Sequence, residues 1–139
     1  MREARLDDAE ALAPLLGQLG YPTSPEAVAS RIRRIDSSDA DSLLVAELDG
    51  KIVGLAGIHV SLAIEYDEPV AKLSAIVVDE RYRRRGIGEG LVAAVEDESR
   101  RRGCCLVFLT TAERRKDAHA FYDRVGFEET GRRFVKLLA

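Results

Sequence analysis

The chain has 139 residues, a length that buries a core large enough to stand without disulfides or a structural metal. Its 46% hydrophobic and 32% charged residues are those of an ordinary soluble globular protein, and no apolar run approaches the roughly 18 residues that a membrane helix needs. A formal net charge of -3 argues against the broad basic surface by which duplex nucleic acids are bound.

Residues 1–7 lack the apolar centre of a signal peptide, so the cytoplasm is the expected compartment. Asp7 to Glu10 then open a helix. Asp7 is placed to cap it, Glu10 follows three residues on, and Leu12, Leu15, Leu16 and Leu19 share one face up to Gly20. Thr23, Ser24 and Pro25 open a second helix, with Val28, Ile32 and Ile35 at helical spacing. After a polar loop at 37–41, residues 43–47 and 51–60 are predicted strands that turn at Asp49 and Gly50, a hairpin signal. Residues 61–69 connect to a third strand at 70–78, which runs into a loop of arginines and glycines.

Beyond that loop, Ile87, Leu91 and Val95 mark the core face of a helix that Gly103 stops. Residues 104–110 are predicted as a strand, and residues 117–125 as a helix with Ala118, Phe121, Tyr122 and Val125 on one face, closed by Gly126. A last strand is expected at 132–138, with a short one near 127–130. No repeats, low-complexity tracts or linkers interrupt the order β-α-α-β-β-β-α-β-α-β, so residues 1–139 read as a single domain. The only cysteines, Cys104 and Cys105, are neighbours whose side chains take opposite faces of a strand. A disulfide between them is geometrically difficult and no local base activates either, so both read as buried or half-buried small hydrophobes.

The chemistry is concentrated at Arg81, Tyr82, Arg83, Arg84, Arg85, Gly86, Ile87, Gly88 and Glu89. A helix that begins near Gly86 leaves backbone N–H groups without intrahelical acceptors, and its dipole adds partial positive charge; an anion satisfies both. Gly86 and Gly88 let a ligand oxygen approach the backbone closely. The arginines add charge, although such a run on its own is also what a solvated face looks like. Two phosphate loops are excluded: there is no Gly-x-x-x-x-Gly-Lys-Ser/Thr string, and Gly86-x-Gly88-x-Gly90 is not Gly-x-Gly-x-x-Gly.

What does match is Arg83-Arg84-Arg85-Gly86-Ile87-Gly88, read as Arg/Gln-x-x-Gly-x-Gly/Ala. It resembles the acyl-CoA-binding motif of the GNAT N-acetyltransferase superfamily. A second string, Ala118 through Phe121-Tyr122 to Gly126-Phe127, is similar to that superfamily's Ala-x-x-Phe/Leu-Tyr-x-x-x-Gly-Phe helix. With the hairpin, the helix pair and the last strand, the resemblance covers essentially the whole chain.

The resemblance implies an α/β (α+β) fold with a central mixed, mostly antiparallel sheet flanked by helices. It also implies an acyltransferase that moves an acetyl group from acetyl-CoA to a primary amine of a small molecule or peptide, by direct attack in a ternary complex and without a metal. The pantetheine arm is then expected beside Ile76, Val77 and Val78, and the pyrophosphate on Arg83, Arg84, Arg85, Gly86, Ile87, Gly88 and Glu89. Tyr122 matches the tyrosine that serves as general acid to the thiolate, and a phenol with an ordinary pKa near 10 suits that role because it stays protonated at neutral pH. Tyr122 also reads as a packing residue beside Phe121. Where many members carry an asparagine, three residues before the helix alanine, this chain has Arg115; together with Arg114 and Lys116 it either reaches the cofactor phosphates or faces solvent.

No acidic residue stands where the superfamily places a glutamate base, near Lys72 or Ser74 on one strand or near Thr110 on another. Proton removal then falls to water held by Thr110 or Ser74, or to Glu65, Asp67 or His59. His59, in an otherwise apolar strand, reads first as a hydrogen-bonded structural histidine, and His119 as an inert outer residue. The missing base keeps a non-catalytic acyl-CoA-binding module as the alternative. Nucleic acid and membrane are not expected partners; a homodimer formed through residues 132–138 is. The acidic residues of the loops at 37–41 and 61–69 point to a cationic acceptor.

Overall fold

The computed structural model describes residues 1–110 and 116–138, in two compact units, Met1–Phe108 and Leu109–Ala139. In the first unit a short strand, β1 (Arg2–Glu3), and a 3-10 turn (Leu6–Asp8) lead into α1 (Ala9–Leu19). Asp8, rather than the expected Asp7, organises this start. Its buried carboxylate accepts the Arg5 N–H at 2.7 Å and two guanidinium N–H groups of Arg2 at 2.8 and 2.9 Å. Hydrogen bonding to Arg2 is the main reason its pKa lies below the ordinary carboxylate value. Because that carboxylate is turned back toward β1, the first turn winds as 3-10 and the α-helix begins only at Ala9.

Gly20, at φ +106°, ends α1, and α2 (Pro25–Asp36) starts from Ser24, whose hydroxyl accepts the Ala27 N–H at 3.1 Å. β2 (Asp41–Leu48) and β3 (Lys51–Ser61) form the hairpin. Its two central residues, Asp49 and Gly50, have φ of +52° and +78°, which gives the primed turn that follows strand twist. β4 (Val70–Val78) pairs antiparallel with β3; α3 (Ile87–Arg101) crosses over, and β5 (Val107–Phe108) returns parallel to β4. The sheet order is β1-β2-β3-β4-β5.

One face of the sheet presents Val45, Leu55 and Val77 to Leu12, Leu15, Val28 and Ile32 of α1 and α2. The opposite face receives α3, which comes so close at Gly54 that a β-carbon there would stand 3.0 Å from Leu91 Cδ1 and 3.1 Å from the Val77 carbonyl. In the second unit α4 (Lys116–Arg124) is closed by Gly126 at φ +98°.

Three expectations are corrected. The strand predicted over 104–110 has only two residues, because the Cys104 N–H is still bound to Ser99 O of α3 and the Cys105 N–H goes to Pro69 O before the ladder begins. Cys105 is exposed rather than buried, while burial pushes the half-buried Cys104 thiol up in pKa, which leaves it a poor nucleophile. The strands expected at 127–130 and 132–138 do not form: no described strand pairs with these residues, and Phe134, Val135, Leu137 and Leu138 are exposed. A strand forms only where its N–H and C=O groups find ladder partners. No helix among the described residues is long and apolar enough to cross a membrane.

Candidate functional site

β4 is paired with β3 along its length, but with β5 only at Ala71 and Lys72. From Leu73 to Val78 its second edge meets no described strand, so a row of backbone groups about 20 Å long is presented. A bulge accompanies this opening. Ala75 pairs with Gly57 and Leu73 with Ile58, which leaves Ser74 as the extra residue of β4. Sequence reasoning missed it, although a glycine inside an apolar strand, here Gly57, is its usual mark.

Ile76, Val77 and Val78, the residues expected beside a pantetheine arm, lie on this open edge. The Val77 side chain is committed to the core, so the edge offers backbone rather than side chain to a ligand. β4 then ends in a turn held by its own polar groups. The Asp79 N–H donates to Val53 O at 2.8 Å, and its buried carboxylate accepts the Arg81 N–H at 3.0 Å and the Arg81 guanidinium at 2.9 Å. Hydrogen bonding to Arg81 lowers the Asp79 pKa to about 2. Arg83 donates its Nε–H to Val78 O at 3.1 Å, which makes it a clamp on the turn.

Arg84 (φ +64°) and Gly86 (φ +78°) are both left-handed, and the Gly90 N–H closes the first turn of α3 on Gly86 O at 3.0 Å. The N–H groups of Ile87 and Gly88 precede that bond and lie at the positive end of the helix. Arg84 and Arg85 are exposed beside them, with the Arg85 guanidinium 5.2 Å from the centre of the Tyr82 ring. Glu89 is exposed on the same turn. A β-carbon on Gly86 would meet nothing within 4 Å, so glycine is required here for its dihedral. The residues from Ile76 to Glu89 thus run from a strand edge that no described strand covers, through a left-handed turn, to the exposed N-terminus of α3.

Tyr122 belongs to the second unit, half-buried on α4, with its ring edge-to-face against Phe121 at 5.5 Å and Phe127 at 5.8 Å. Arg115, with Arg114, lies outside the described residues. Among the alternatives for the base, Ser74, Thr110, Glu65 and Asp67 are exposed, and Lys72, which stands near where the superfamily places a glutamate, is half-buried. His59 is the one held by a carboxylate: its Nδ1 is 2.8 Å from Asp41 Oδ1. His119 is half-buried on α4. A separate cleft of about 480 Å³ lies between α1, the hairpin turn and Asp79. Four of its polar side chains are already engaged with partners, Asp8 with Arg2, Asp79 with Arg81 and Gln18 with the Glu80 N–H, and the β4 edge is the better site. No group of three metal-binding side chains occurs among the described residues.

The profile of the acetyltransferase (GNAT) family matches residues 9–127. The chain belongs to that family. It is 33% identical over 90 residues to an aminoalkylphosphonate N-acetyltransferase of Salmonella typhimurium, a match that covers 65% of this chain and 58% of that protein. To an aminoglycoside N(6')-acetyltransferase type 1 of Stenotrophomonas maltophilia it is 30% identical over 138 residues, 95% of this chain and 88% of the relative. Against other curated GNAT relatives the match spans about half of their length. The crystallised aminoglycoside N-acetyltransferase AAC(6')-Iy in complex with CoA superposes with a TM-score of 0.87 at 25% identity, covering 99% of this chain and 93% of that one. The GNAT fold expected from the two motifs is therefore the fold observed, without the final strand.

Proposed function

We propose that the chain is an acyltransferase, one catalytic domain over residues 1–139, that transfers the acetyl group of acetyl-CoA to a primary amine in a ternary complex. The observation that carries this reading is the continuity of the open β4 edge with the left-handed Arg84–Gly86 turn and the α3 N-terminus. An amide-bearing arm finds backbone partners along Ile76 to Val78, and a pyrophosphate finds N–H groups and the guanidinium groups of Arg84 and Arg85. Arg83 keeps the turn in shape for Gly86, Ile87, Gly88 and Glu89, and Arg115 is assigned to the same phosphates. The CoA complex of the AAC(6')-Iy neighbour supports the same donor.

A thioester is already activated, so the protein has little covalent work. It holds the amine against the carbonyl carbon, takes a proton from the ammonium and returns one to the leaving sulfur. We assign the second transfer to the Tyr122 phenol. The relatives' names, aminoalkylphosphonate and aminoglycoside N-acetyltransferase, support a small polar amine as acceptor. A cytoplasmic location and a homodimer belong to the same proposal; sedimentation of a pure monomer at micromolar concentration would remove the dimer.

The test combines melting with thiol release. Acetyl-CoA at a hundredfold excess over its Kd should stabilise the fold by about 2.7 kcal/mol, and at least one amine of a panel of aminoalkylphosphonates, aminoglycosides and peptides should release free CoA thiol. Stabilisation without release from any amine would favour the non-catalytic binding module.

A further inference from the structure

We propose that His59, oriented by Asp41, is the base that takes the proton from the acceptor's ammonium; the proposal rests on the acetyl-transfer reading above. Strand register brings the groups together. Asp41 of β2 faces His59 of β3, His59 faces Lys72 of β4, and Lys72 faces Phe108 of β5. This row crosses the sheet where β4 and β5 part. Along β2 and β3, Asp41 and His59 have the same parity as Leu43, Val45 and Leu55, so they continue the face that α1 and α2 cover. They lie beyond that cover, with side chains 34% and 45% exposed.

The place matters because of where a donor must end. An arm that starts at the α3 N-terminus and lies along the open edge of β4 runs toward Lys72, where pairing with β5 closes the gap. Its acyl end leaves the sheet there. His59 is one strand away from Lys72, a spacing of about 5 Å.

The chemistry of the pair fits proton abstraction. Asp41 Oδ1 accepts from His59 Nδ1 at 2.8 Å, and Asp41 Oδ2 accepts the Ser38 hydroxyl at 2.7 Å, while Ser38 Oγ accepts the Ala40 N–H at 3.2 Å. Hydrogen bonding to Ser38, ahead of that to His59, holds the Asp41 carboxyl below its usual range, so it is ionised at neutral pH. An ionised acceptor at Nδ1 selects the tautomer whose lone pair is on Nε2. Nε2 has no hydrogen-bond partner among the described residues, on a side chain that is 45% exposed. A histidine serving only to satisfy itself in an apolar strand needs neither the carboxylate nor the exposure. Asp41 is accordingly a positioning residue.

The step balances as follows. Nε2 takes one proton from R–NH₃⁺, directly or through one water, and later loses it to solvent. The freed lone pair forms the C–N bond at the thioester carbon, and the C–S bond breaks with its electron pair on sulfur. The sulfur gains one proton, and the nitrogen loses its second, so one proton is released per turnover. Besides the pair itself, the charged groups nearby are Lys72 on β4, opposite His59, and Arg102 at the end of α3, whose charge acts on Asp41.

The experiment measures thiol release from acetyl-CoA between about pH 6 and about pH 10, with (aminomethyl)phosphonate, kanamycin and a simple alkylamine as acceptors. Parent, His59→Gln and Asp41→Asn are compared, and the acetyl-CoA melting shift of each is recorded. The expected result is an unchanged shift and a kcat/KM about 10²-fold lower for His59→Gln near neutrality. That deficit should shrink as pH approaches the amine's own pKa, about 10, because the acceptor then arrives deprotonated. Asp41→Asn should show a smaller deficit of the same form, and free imidazole should partly restore His59→Gly. A deficit equal at every pH, or none, in variants that keep the melting shift overturns the proposal. If His59→Gln no longer melts cooperatively, Asp41→Asn decides in the same way. A parent that binds acetyl-CoA and acetylates none of the acceptors overturns the acetyl-transfer reading, and this proposal with it.

Discussion

The Ser74 hydroxyl oxygen lies 2.6 Å from the position that a β-carbon on Gly57 would occupy. The bulge of β4 and the glycine of β3 are therefore two halves of one feature. Gly57→Ala should displace Ser74 and cost about 1–3 kcal/mol by overpacking. It should also weaken stabilisation by acetyl-CoA, because the displaced residue lies on the open edge of β4. Ser74→Ala in the same chain should recover part of the loss. Melting with and without acetyl-CoA for both single variants and the double variant checks this, and additive losses would show that the two positions do not communicate.

Gly86 at φ +78° opens α3, and any residue with a β-carbon is strained there by about 1–2 kcal/mol. Gly86→Val should abolish the acetyl-CoA melting shift, whereas Gly86→Asn, whose side chain tolerates left-handed backbone, should keep much of it. Equal affinity for acetyl-CoA in the parent and in Gly86→Val, read by calorimetry, would move the donor site elsewhere.

Tyr122→Phe keeps the ring contacts to Phe121 and Phe127 and removes only the hydroxyl. General acid catalysis contributes about 10²- to 10⁴-fold, so kcat should fall at least about tenfold even with water as substitute, while KM for acetyl-CoA holds. Full kcat in an assay limited by chemistry would make Tyr122 a packing residue.

Asp8 and Asp79 both bind protons less readily in the fold than the ordinary carboxyl value of 3.8. Their stabilisation is complete above that value and is lost as pH falls, for Asp79 down to its folded pKa of about 2. Melting temperature should therefore decline between about pH 4 and about pH 2, and Asp79→Asn should flatten that limb while lowering the plateau above it. A limb of undiminished steepness in Asp79→Asn would assign the acid sensitivity to other carboxylates.

Features set by neighbouring residues are legible in the sequence. Ser24 and Pro25 announce α2, Asp49 and Gly50 announce the hairpin, and the bounds of β4 follow from its apolar run. The start of α3 near Gly86 is legible for the same reason, since a glycine before an amphipathic apolar pattern is a local signal. What escaped depends on distant partners. Asp8 displaces Asp7 because Arg2 reaches it from β1, and the His59–Asp41 pair needs a strand register that joins residues eighteen positions apart. The left-handed Arg84 carries no sequence mark at all. Residues 132–138 have the composition of a strand, but no described strand pairs with them.

The turn between β4 and α3 is stitched to itself, Asp79 to Arg81, Arg83 to Val78, Arg85 against Tyr82. A phosphate that arrives there has few side chains left to immobilise, each of which would otherwise cost about 0.5–1.5 kcal/mol on association. On the acetyl-transfer proposal, encounter with the donor would then be governed by diffusion and by the exposed charge of Arg84 and Arg85. It should be rapid, should slow as ionic strength rises, and should proceed at the same rate whichever amine the far end of β4 receives.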